Sequence, residues 1–269
     1  MELDGKVAIV TGGGSGIGQA LAAELARHGT RVVIGDLDDA GAQAAAAAIR
    51  DTGGQAVALR ANAADTADID ALIALAAREF APVDLYVANA GIIGTSGLGA
   101  ESDWDVILDV NLRAHIRAAR VLVPQWQSAG SGYFVSVASA AGLLTQLGAA
   151  GYAVSKHAAV GFAEWLAVTY GDDGIGVSLV CPLGVETPLL QNIRELDDAD
   201  AQLGASSIER SAPVITAADV AAVTVEAVRA GRFLVLPHPE LLEMYRRKGG
   251  DYDRWIAGMQ RYQRTLRAH

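Results

Sequence analysis

The sequence predicts an α/β fold in which a parallel sheet of about seven strands is covered by helices on both faces. Short runs rich in β-branched residues alternate with longer segments of helical periodicity along most of the chain. This alternation is typical of consecutive βαβ units, whose parallel strands are buried on both sides. Apolar residues make up 51% of the 269 residues, which is enough for one large core, and no linker interrupts the chain. We therefore expect a single doubly wound domain over residues 1–269.

The predicted strands are brief and apolar, and several of them end at glycine or aspartate. They cover Val7–Thr11, Arg31–Gly35, Gln55–Arg60, Asp84–Ala88, Gly132–Val137, Gly176–Val180 and Phe233–Leu236. Helical periodicity covers Ile17–His28, a segment from Asp38 or Asp39 to Thr52, Asp65–Phe80, Trp104–Gln127, Tyr152–Tyr170 and Ala217–Ala230. Residues 182–216 lack a clear pattern, so we predict a substrate lid over about 183–216. Residues from about 239 to 269 are predicted to form a helical extension.

Charge and cysteine content narrow the classes of function. The net charge of −10 argues against a nucleic acid or an anionic membrane surface as partner, because both require clustered cations. The single cysteine, Cys181, allows no intrachain disulfide and fits the reducing cytoplasm. The start of the chain lacks the features of a signal peptide, and no apolar run is long enough to span a membrane. The five histidines (28, 115, 157, 238 and 269) lack metal-ligand spacing, so we expect no metal.

A glycine-rich segment, Thr11–Gly18, joins the first predicted strand to the first predicted helix. A tight turn here needs residues with positive φ, and it lets the backbone approach a pyrophosphate closely. The helix that begins near Ser15 directs its free N–H groups and its positive end toward the same phosphates. Glycines alone could form only a turn, but their position in a βαβ unit favours dinucleotide binding. The residues expected to contribute are Gly12, Gly14, Ser15, Gly16 and Gly18.

An acidic residue, Asp36, follows the second predicted strand and lies eighteen residues after Gly18. A carboxylate at this position can accept hydrogen bonds from both hydroxyls of an adenosine ribose and repels a 2′-phosphate. The glycine-rich segment has no Lys or Arg to pair with that phosphate. The sequence therefore favours NAD over NADP. An alternative interpretation makes the aspartates caps of the second helix, a role that suits Asp38 or Asp39 better than Asp36.

Tyr152 and Lys156 are four residues apart at the start of a predicted helix and therefore lie on one face of it. A free phenol has a pKa near 10, and a neighbouring ammonium group favours the phenolate. Tyr152 could then exchange a proton with an alcohol while hydride moves to or from a nicotinamide. The Ser139 hydroxyl, at the end of a strand, could stabilise charge on the substrate oxygen. In isolation, such a Tyr–Lys pair is common on helix surfaces.

In combination, these motifs resemble the classical short-chain dehydrogenase/reductase family. The resemblance extends from Lys6 to about Leu236 and includes the glycine-rich segment, Asn89-Ala90-Gly91, Asn111, Ser139, and Tyr152 with Lys156. It implies a Rossmann-type fold and a catalytic tetrad of Asn111, Ser139, Tyr152 and Lys156. In this family the lysine also binds the nicotinamide ribose, and the asparagine holds a water in a proton relay.

The resemblance also implies a set of cofactor contacts. Ile17 would use its backbone, Asn62 would replace the usual aspartate at the adenine, and Thr187 would hold the carboxamide. The remaining expected contacts are Leu37, Ala63, Asn89, Ala90, Gly91, Pro182, Leu183 and Val185, together with Tyr152 and Lys156. Leu183 stands where the family usually has glycine, a difference that would narrow the nicotinamide end of the pocket.

The expected substrate pocket is apolar and favours a hydrophobic secondary alcohol or ketone. Its predicted members are Ile92, Ile93, Gly94, Ala140, Ala141, Leu143, Leu144, Leu189 and Leu190 with Leu183, and Gln146 is the one polar candidate. These positions lack a fixed cation, although Arg194, Arg210 or the C-terminal arginines could enter the site through the lid. Large residues of the extension, Tyr245, Tyr252, Trp255, Met259 and Tyr262, pack either on their own subunit or on the lid of a neighbour.

Three functions remain open at this point, and the resemblance implies a homotetramer. The leading hypothesis is an NAD-dependent alcohol dehydrogenase or ketone reductase with Tyr152 as acid/base. An NADP-dependent reductase of 3-oxoacyl groups is the second, and Asp36 argues against it. The third is a non-catalytic nucleotide-sensing protein, against which the complete tetrad argues.

Overall fold

A seven-stranded parallel sheet forms the centre of the protein. The computed structural model describes residues 1–268; His269, the last residue of the predicted extension, lies outside them. The strands are β1 Val7–Thr11, β2 Arg31–Asp36, β3 Ala56–Arg60, β4 Leu85–Ala88, β5 Gly132–Val137, β6 Ile175–Val180, β7 Val185–Glu186, β8 Ile215–Thr216 and β9 Leu234–Val235. All but β7 and β8 join the main sheet in the order β3-β2-β1-β4-β5-β6-β9. The predicted fold class is confirmed.

Helices connect the strands and cover both faces of the sheet. They are α1 Gly16–Arg27, α2 Asp39–Asp51, α3 Thr66–Glu79, α4 Glu101–Leu108, α5 Ala114–Ala129, α6 Ala140–Leu143, α7 Ala150–Tyr170, α8 Pro188–Glu195, α9 Ala199–Ser211, α10 Ala217–Ala230, α11 Leu241–Gly250 and α12 Tyr252–Arg267. None of the helices in the described part of the chain is long and apolar enough to cross a membrane.

Two hydrophobic cores lie on opposite faces of the sheet, and β1 contributes to both. Its side chains alternate, as they must in a strand: Val7 and Ile9 join one core, whereas Ala8 and Val10 join the other. All four are fully buried, which explains why the strand reads as a continuous apolar run.

The sheet order places a crevice between β1 and β4. The chain moves outward from β1 to β2 and β3, then returns to the other side of β1 with β4. The helices that leave β1 and β4 therefore cover opposite faces, and the carboxyl ends of the two strands border an open crevice. Ligands of doubly wound sheets bind at such a position.

The long helix predicted over 104–127 is divided in the structure. It begins earlier, as α4 at Glu101, and passes through a π-helical turn at Asp109–Arg113 before continuing as α5. Asn111 lies within this turn, and π-helical turns inside α-helices occur frequently at functional sites.

The predicted lid is largely helical rather than irregular. Thr187 accepts a hydrogen bond from the N–H of Leu190 and caps α8, and Asp198 caps α9 through the N–H of Ala201. The short strands β7 and β8 pair in parallel and close the base of the lid. The helical extension is present as well, but Asp251 divides it by capping α12 through the N–H of Arg254.

Candidate active site

A cavity of about 630 Å³ opens at the carboxyl ends of the central strands, beneath the lid and the C-terminal helices. Most of the predicted cofactor contacts line it: Gly12, Ser15, Gly16, Ile17, Asp36, Leu37, Asn62, Ala63, Asn89, Ala90, Gly91, Tyr152, Lys156, Pro182, Leu183, Val185 and Thr187. Ser139 lines it too, whereas Gly14, Gly18 and Asn111 do not. The structure thus brings residues from distant parts of the chain to one crevice.

The glycine-rich segment forms a tight loop that ends at the start of α1. Gly12 and Gly16 have φ values of 61° and 52°, a conformation that favours glycine. A Cβ on Gly18 would lie 2.0 Å from the carbonyl oxygen of Gly12, so Gly18 serves the close packing of the helix on the loop. The Ser15 side chain makes no capping bond to α1, which leaves the first N–H groups of this helix free to bind an anion.

Asn89 fastens the loop to the end of β4. Its Nδ2 donates to the carbonyl oxygens of Thr11 and Gly12, at 3.0 Å each. The Thr11 hydroxyl in turn accepts hydrogen bonds from the N–H groups of Asn89 and Ala90, at 3.1 and 3.3 Å. These bonds hold the backbone of two neighbouring strand ends in fixed positions around the crevice.

Asp36 directs a carboxylate into the crevice and holds the loop with it. Its Oδ2 accepts a hydrogen bond of 2.8 Å from Gly14 N–H, and its Oδ1 accepts one of 3.0 Å from Asp38 N–H. Asp38 precedes α2 as its N-cap residue, so Asp36 also supports the start of that helix. Because a carboxylate accepts about four hydrogen bonds, Asp36 retains acceptor capacity for a ligand.

Asn62 stands at the end of the crevice beyond Asp36. Its Oδ1 accepts a hydrogen bond of 3.0 Å from Ala64 N–H, and its own N–H donates to Asp68 at 2.7 Å. The side-chain oxygen is thus committed to the local turn, and the amide nitrogen is the atom left to face a ligand.

Tyr152, Ser139 and Lys156 meet deep in the cavity. The Ser139 and Tyr152 side chains line the same part of the cavity, and the Ser139 hydroxyl accepts a bond of 3.1 Å from Ala141 N–H. The Lys156 ammonium donates to Val137 O at 3.1 Å and lies 5.6 Å from the centroid of the Tyr152 ring. The i, i+4 spacing places both side chains on one face of α7, as predicted.

Asn111 lies beneath the cavity rather than in its wall, and its side chain is fully buried. Its amide pairs with Ile92, accepting from the N–H and donating to the carbonyl oxygen at 2.9 Å each. It also donates to Ser155 Oγ at 3.0 Å. Both ends of the amide are therefore engaged in fixing the loop after β4 against α7, next to Tyr152.

His238, to which the sequence assigned no role, fixes the backbone of Leu183. Its Nδ1 accepts a hydrogen bond of 3.1 Å from Leu183 N–H, so its Nε2 carries the proton and donates to Pro213 O at 3.2 Å. Leu183 and Pro213 lie near the two ends of the lid, and the imidazole thus joins them. A lone histidine after the last strand gives no signal of this contact in the sequence.

The part of the cavity next to Ser139 is apolar, and two arginines also line the cavity. Among the predicted apolar residues, Ile92, Ile93, Ala140, Ala141, Leu144, Leu183, Leu189 and Leu190 line it with Gln146, whereas Gly94 and Leu143 do not. Arg210 of the lid and Arg247 of α11 line it as well. Arg247 pairs with Glu243, and Arg210 makes no ion pair among the described residues. The cavity therefore includes the cationic groups that the predicted pocket residues lack.

The C-terminal helices form part of the same cavity. Met244, Trp255, Met259 and Tyr262 line it together with the lid of their own subunit. This agrees with the interpretation in which the large residues of the extension pack on the parent chain.

Comparison with family models shows to which family the chain belongs. Residues 6–198, more than two thirds of the chain, match the model described as short chain dehydrogenase. The chain belongs to the short chain dehydrogenase family.

Two solved structures and one curated relative illustrate the similarity. The cyclohexanol dehydrogenase of Acinetobacter sp. (strain SE19) is 36% identical over 200 residues, which cover 73% of this chain and 79% of that protein. A short chain dehydrogenase/reductase from Burkholderia phymatum in complex with NAD matches with a TM-score of 0.85 and 30% identity, covering 94% and 96% of the two chains. A protein described as an NAD(P)-dependent gluconate 5-dehydrogenase from Beutenbergia cavernae, with bound NADP, matches with a TM-score of 0.77 and 30% identity over 90% and 98%.

Burial dominates the pKa shifts of Tyr152, Lys156 and Cys181 in this short chain dehydrogenase. It raises the pKa of the Tyr152 phenol, and the nearby Ser139 hydroxyl opposes this only in part. The sequence analysis expects Lys156 to lower this pKa, but burial has the larger effect, and the ammonium donates to Val137 O rather than to the phenol oxygen. Burial also raises the pKa of the Cys181 thiol to about 12, which keeps it protonated and unreactive.

The Lys156 ammonium is 4% exposed and has no carboxylate partner among the described residues. Burial lowers its pKa from 10.5 to about 8. Such a shift corresponds to about 3 kcal/mol of lost stability wherever both the folded and unfolded chains carry the charge. This penalty is complete below pH 8 and disappears as pH rises to about 10.5, because the lysine is then neutral in both states.

Lys156→Met is therefore expected to increase the free energy of unfolding at pH 7, and the gain should shrink between pH 8 and pH 10. The gain at pH 7 is at most about 3 kcal/mol, reduced by the bond lost to Val137 O. Urea denaturation of both proteins at several pH values measures it. A difference in stability that does not change with pH would contradict the assignment of the buried charge.

Proposed function

We propose that this chain is an NAD-dependent oxidoreductase that transfers a hydride between nicotinamide and a hydrophobic secondary alcohol or ketone, with Tyr152 as the acid/base. One observation carries the proposal: Ser139, a buried Tyr152 phenol and Lys156, whose ammonium lies 5.6 Å from the phenol ring centroid, line the cavity that also contains the glycine-rich loop. A phenol in such surroundings is suited to proton exchange with an alcohol.

The residues of the crevice fit a dinucleotide. The close approach of the loop backbone and the free N–H groups of α1 suit a pyrophosphate, and Asp36 suits the adenosine ribose. Asn62, Leu37 and Ala63 would flank the adenine, whereas Pro182, Leu183, Val185 and Thr187 would flank the nicotinamide. When bound, the nicotinamide supplies the acceptor or donor of hydride.

Tyr152 moves the proton in the proposed reaction. During oxidation its phenolate oxygen accepts the hydroxyl proton of the alcohol, and during reduction the phenol returns it to the ketone oxygen. The Ser139 hydroxyl accepts from Ala141 N–H, so its own proton can be donated either to the Tyr152 oxygen or to the substrate oxygen. Lys156, whose ammonium donates to Val137 O, is assigned to the nicotinamide ribose instead.

Support for NAD rather than NADP comes from the Asp36 carboxylate. Its position is set by two backbone N–H groups, so it cannot easily turn away from a 2′-phosphate. Solved members of the family are bound to NAD in one case and to NADP in another, which leaves this preference to experiment.

The support for a cyclic alcohol comes from the apolar wall around Ser139 and from the cyclohexanol dehydrogenase relative. A ring alcohol that carries a carboxylate is the second candidate, since Arg210 and Arg247 line the cavity. Apolar pockets discriminate weakly between rings of similar size, so the class is proposed and not a single compound.

A substrate panel tests the proposal. The purified protein is incubated with NAD or NADP and with cyclohexanol, a fused-ring secondary alcohol, a primary alcohol and 4-hydroxycyclohexanecarboxylate, and the absorbance of the reduced nicotinamide is followed. With NAD, we expect kcat/KM for the uncharged secondary ring alcohols to be about tenfold higher than kcat/KM for the primary alcohol. Turnover of 4-hydroxycyclohexanecarboxylate alone would favour the ring alcohol with a carboxylate over the uncharged ring alcohol. An absence of turnover on every alcohol and on the matching ketones would refute both substrate candidates.

We further propose that the whole chain is one domain, that it forms a homotetramer and that it resides in the cytoplasm. Helix α7 leaves Val154, Trp165 and Val168 largely exposed, a surface that a second copy would cover. The single, buried Cys181 is compatible with a reducing compartment. Light scattering that reports a monomer would contradict the assembly.

A further inference from the structure

The C-terminal helices α11 and α12 form a wall of the cavity that lies outside the segment shared with the family model. Met244 of α11 and Trp255 and Met259 of α12 line the cavity, whereas the matched segment ends at residue 198. A wall built from residues beyond the shared segment can differ between family members without altering the catalytic groups. It is therefore a suitable place for substrate discrimination.

Helix α12 packs against helix α9 of the lid. Leu266 packs with Leu203 of α9 and with Leu147, and Met259 and Tyr262 join this cluster. The Tyr262 hydroxyl also donates to Ser207 O at 3.4 Å. The lid and the C-terminal helices thus share one small core.

A buried lysine, Lys248, joins the C-terminal helices to the segment that follows Ser139. It is 5% exposed, and its ammonium donates to Leu143 O at 2.9 Å and to Leu144 O at 2.6 Å. Its third contact is His157 Nε2 at 3.2 Å. An ammonium group only donates, so this nitrogen accepts, and the protonated Nδ1 of His157 donates to Ala153 O at 2.8 Å.

Two aromatic rings of the extension surround the same ammonium. Its Nζ lies 5.0 Å from the ring centroid of Trp255 and 5.5 Å from that of Tyr252, within the range of cation–π attraction. All three N–H bonds are used, and no carboxylate lies within ion-pair distance among the described residues. A buried ammonium with these partners specifies one arrangement of the groups around it.

The groups joined in this way border the reacting centre. Leu144 and Trp255 both line the cavity, and helix α6, which ends at Leu143, begins immediately after Ser139. His157 follows Lys156 on α7. A change at Lys248 would therefore reach both walls of the substrate end, through Leu144 on one side and Trp255 on the other.

We propose that Lys248 is a positioning residue that holds the C-terminal helices against residues 140–144, and that Trp255 determines the size of the substrate ring. The second part rests on the proposed function, because the ring belongs to the alcohol or ketone of that reaction. The first part is a statement about this chain alone.

Hydrogen–deuterium exchange tests the positioning role on the full chain. Lys248→Met keeps the length of the side chain and removes the charge and its donors. We expect amides of residues 140–148 and 252–266 to exchange about tenfold faster, with Arg246→Met, an exposed neighbour on α11, as the matched control. Lys248→Arg, which retains charge and donors, should restore most of the protection. If Lys248→Met leaves both segments as protected as the unmodified chain, or fails to fold while Lys248→Arg behaves no better, the positioning role is wrong.

Steady-state kinetics test the specificity role. Trp255→Ala is expected to raise kcat/KM for a fused-ring alcohol relative to cyclohexanol by about tenfold, mainly through KM, while the Kd for NAD stays unchanged. Ile256→Ala, a partly exposed neighbour that does not line the cavity, is the control. An unchanged ratio refutes the specificity role. If the unmodified chain oxidises no alcohol and reduces no ketone, the proposed function and the specificity role fail together, and the exchange experiment still decides the positioning role.

Discussion

Tyr152→Phe is expected to lower kcat/KM on the order of a thousandfold while leaving the Kd for NAD within about twofold. The substitution removes only the hydroxyl that exchanges the proton and keeps the ring that packs in the cavity wall. Among the described neighbours, the Ser139 hydroxyl is a much weaker acid than a phenol, burial keeps the Cys181 thiol protonated, and the Lys156 ammonium donates to Val137 O. Steady-state kinetics with the best alcohol of the panel, combined with a fluorescence titration of NAD, measure both quantities.

Tyr133→Phe is the matched control. Tyr133 is also buried, and its hydroxyl bonds to Ser178 at 2.8 Å, but it does not line the cavity. Its loss should cost about 1 kcal/mol of stability and leave kcat/KM nearly unchanged. If Tyr152→Phe retained more than about a tenth of the activity, the acid/base would have to be another group. If neither the unmodified chain nor the variant turned over any substrate but both bound NAD, the nucleotide-sensing alternative would be favoured.

The sequence predicts the part of the fold and site that depends on local pattern. β1 appears as the apolar run Val7–Thr11 because its residues are buried on both faces of a parallel sheet. The glycines that follow it reveal a turn whose φ values few other residues adopt. The positions of Ser139, Tyr152 and Lys156 are predictable because a strand end and an i, i+4 pair fix the directions of side chains.

The lid was harder to predict because its helices depend on caps and on partners distant in the chain. Helix α8 has only eight residues and begins with the Thr187 cap, and α9 is rich in Ala and Ser, so neither shows a long apolar stripe. Leu203 of α9 is buried by residues of α12 more than fifty positions later, whereas α8 is buried through Ile193 against α9 itself. Local periodicity contains no information about such a contact.

The contacts of His238 and Lys248 could not be predicted from the sequence for a related reason. Each side chain bonds to backbone atoms of segments far away, Leu183 and Pro213 in one case and Leu143 and Leu144 in the other. Backbone acceptors leave no complementary residue type in the sequence that could reveal the pairing. The direction of the Tyr152 pKa shift could not be predicted either. The spacing of Tyr152 and Lys156 shows neither the burial of the phenol nor that the ammonium donates to Val137 O.

The cofactor preference is expected to depend on one charge, and Asp36→Asn tests it. The variant keeps the shape of the side chain and one acceptor for the N–H groups of Gly14 and Asp38, but it removes the repulsion of a 2′-phosphate. Two like charges in contact repel each other by several kcal/mol, and solvent screening reduces this repulsion at an open site. The ratio of kcat/KM for NAD to that for NADP should therefore fall on the order of tenfold to a hundredfold.

Asp38→Asn separates this local effect from a general loss of negative charge. Asp38 lies two residues further along, carries the same charge and does not line the cavity. If the ratio falls equally in both variants, the preference reflects the field of the whole acidic segment rather than contact with the ribose. If it falls in neither, Asp36 serves only to hold Gly14 and the start of α2, and NADP becomes an equal candidate. A fall in Asp36→Asn alone assigns the preference to a carboxylate that the backbone of the loop itself holds in place.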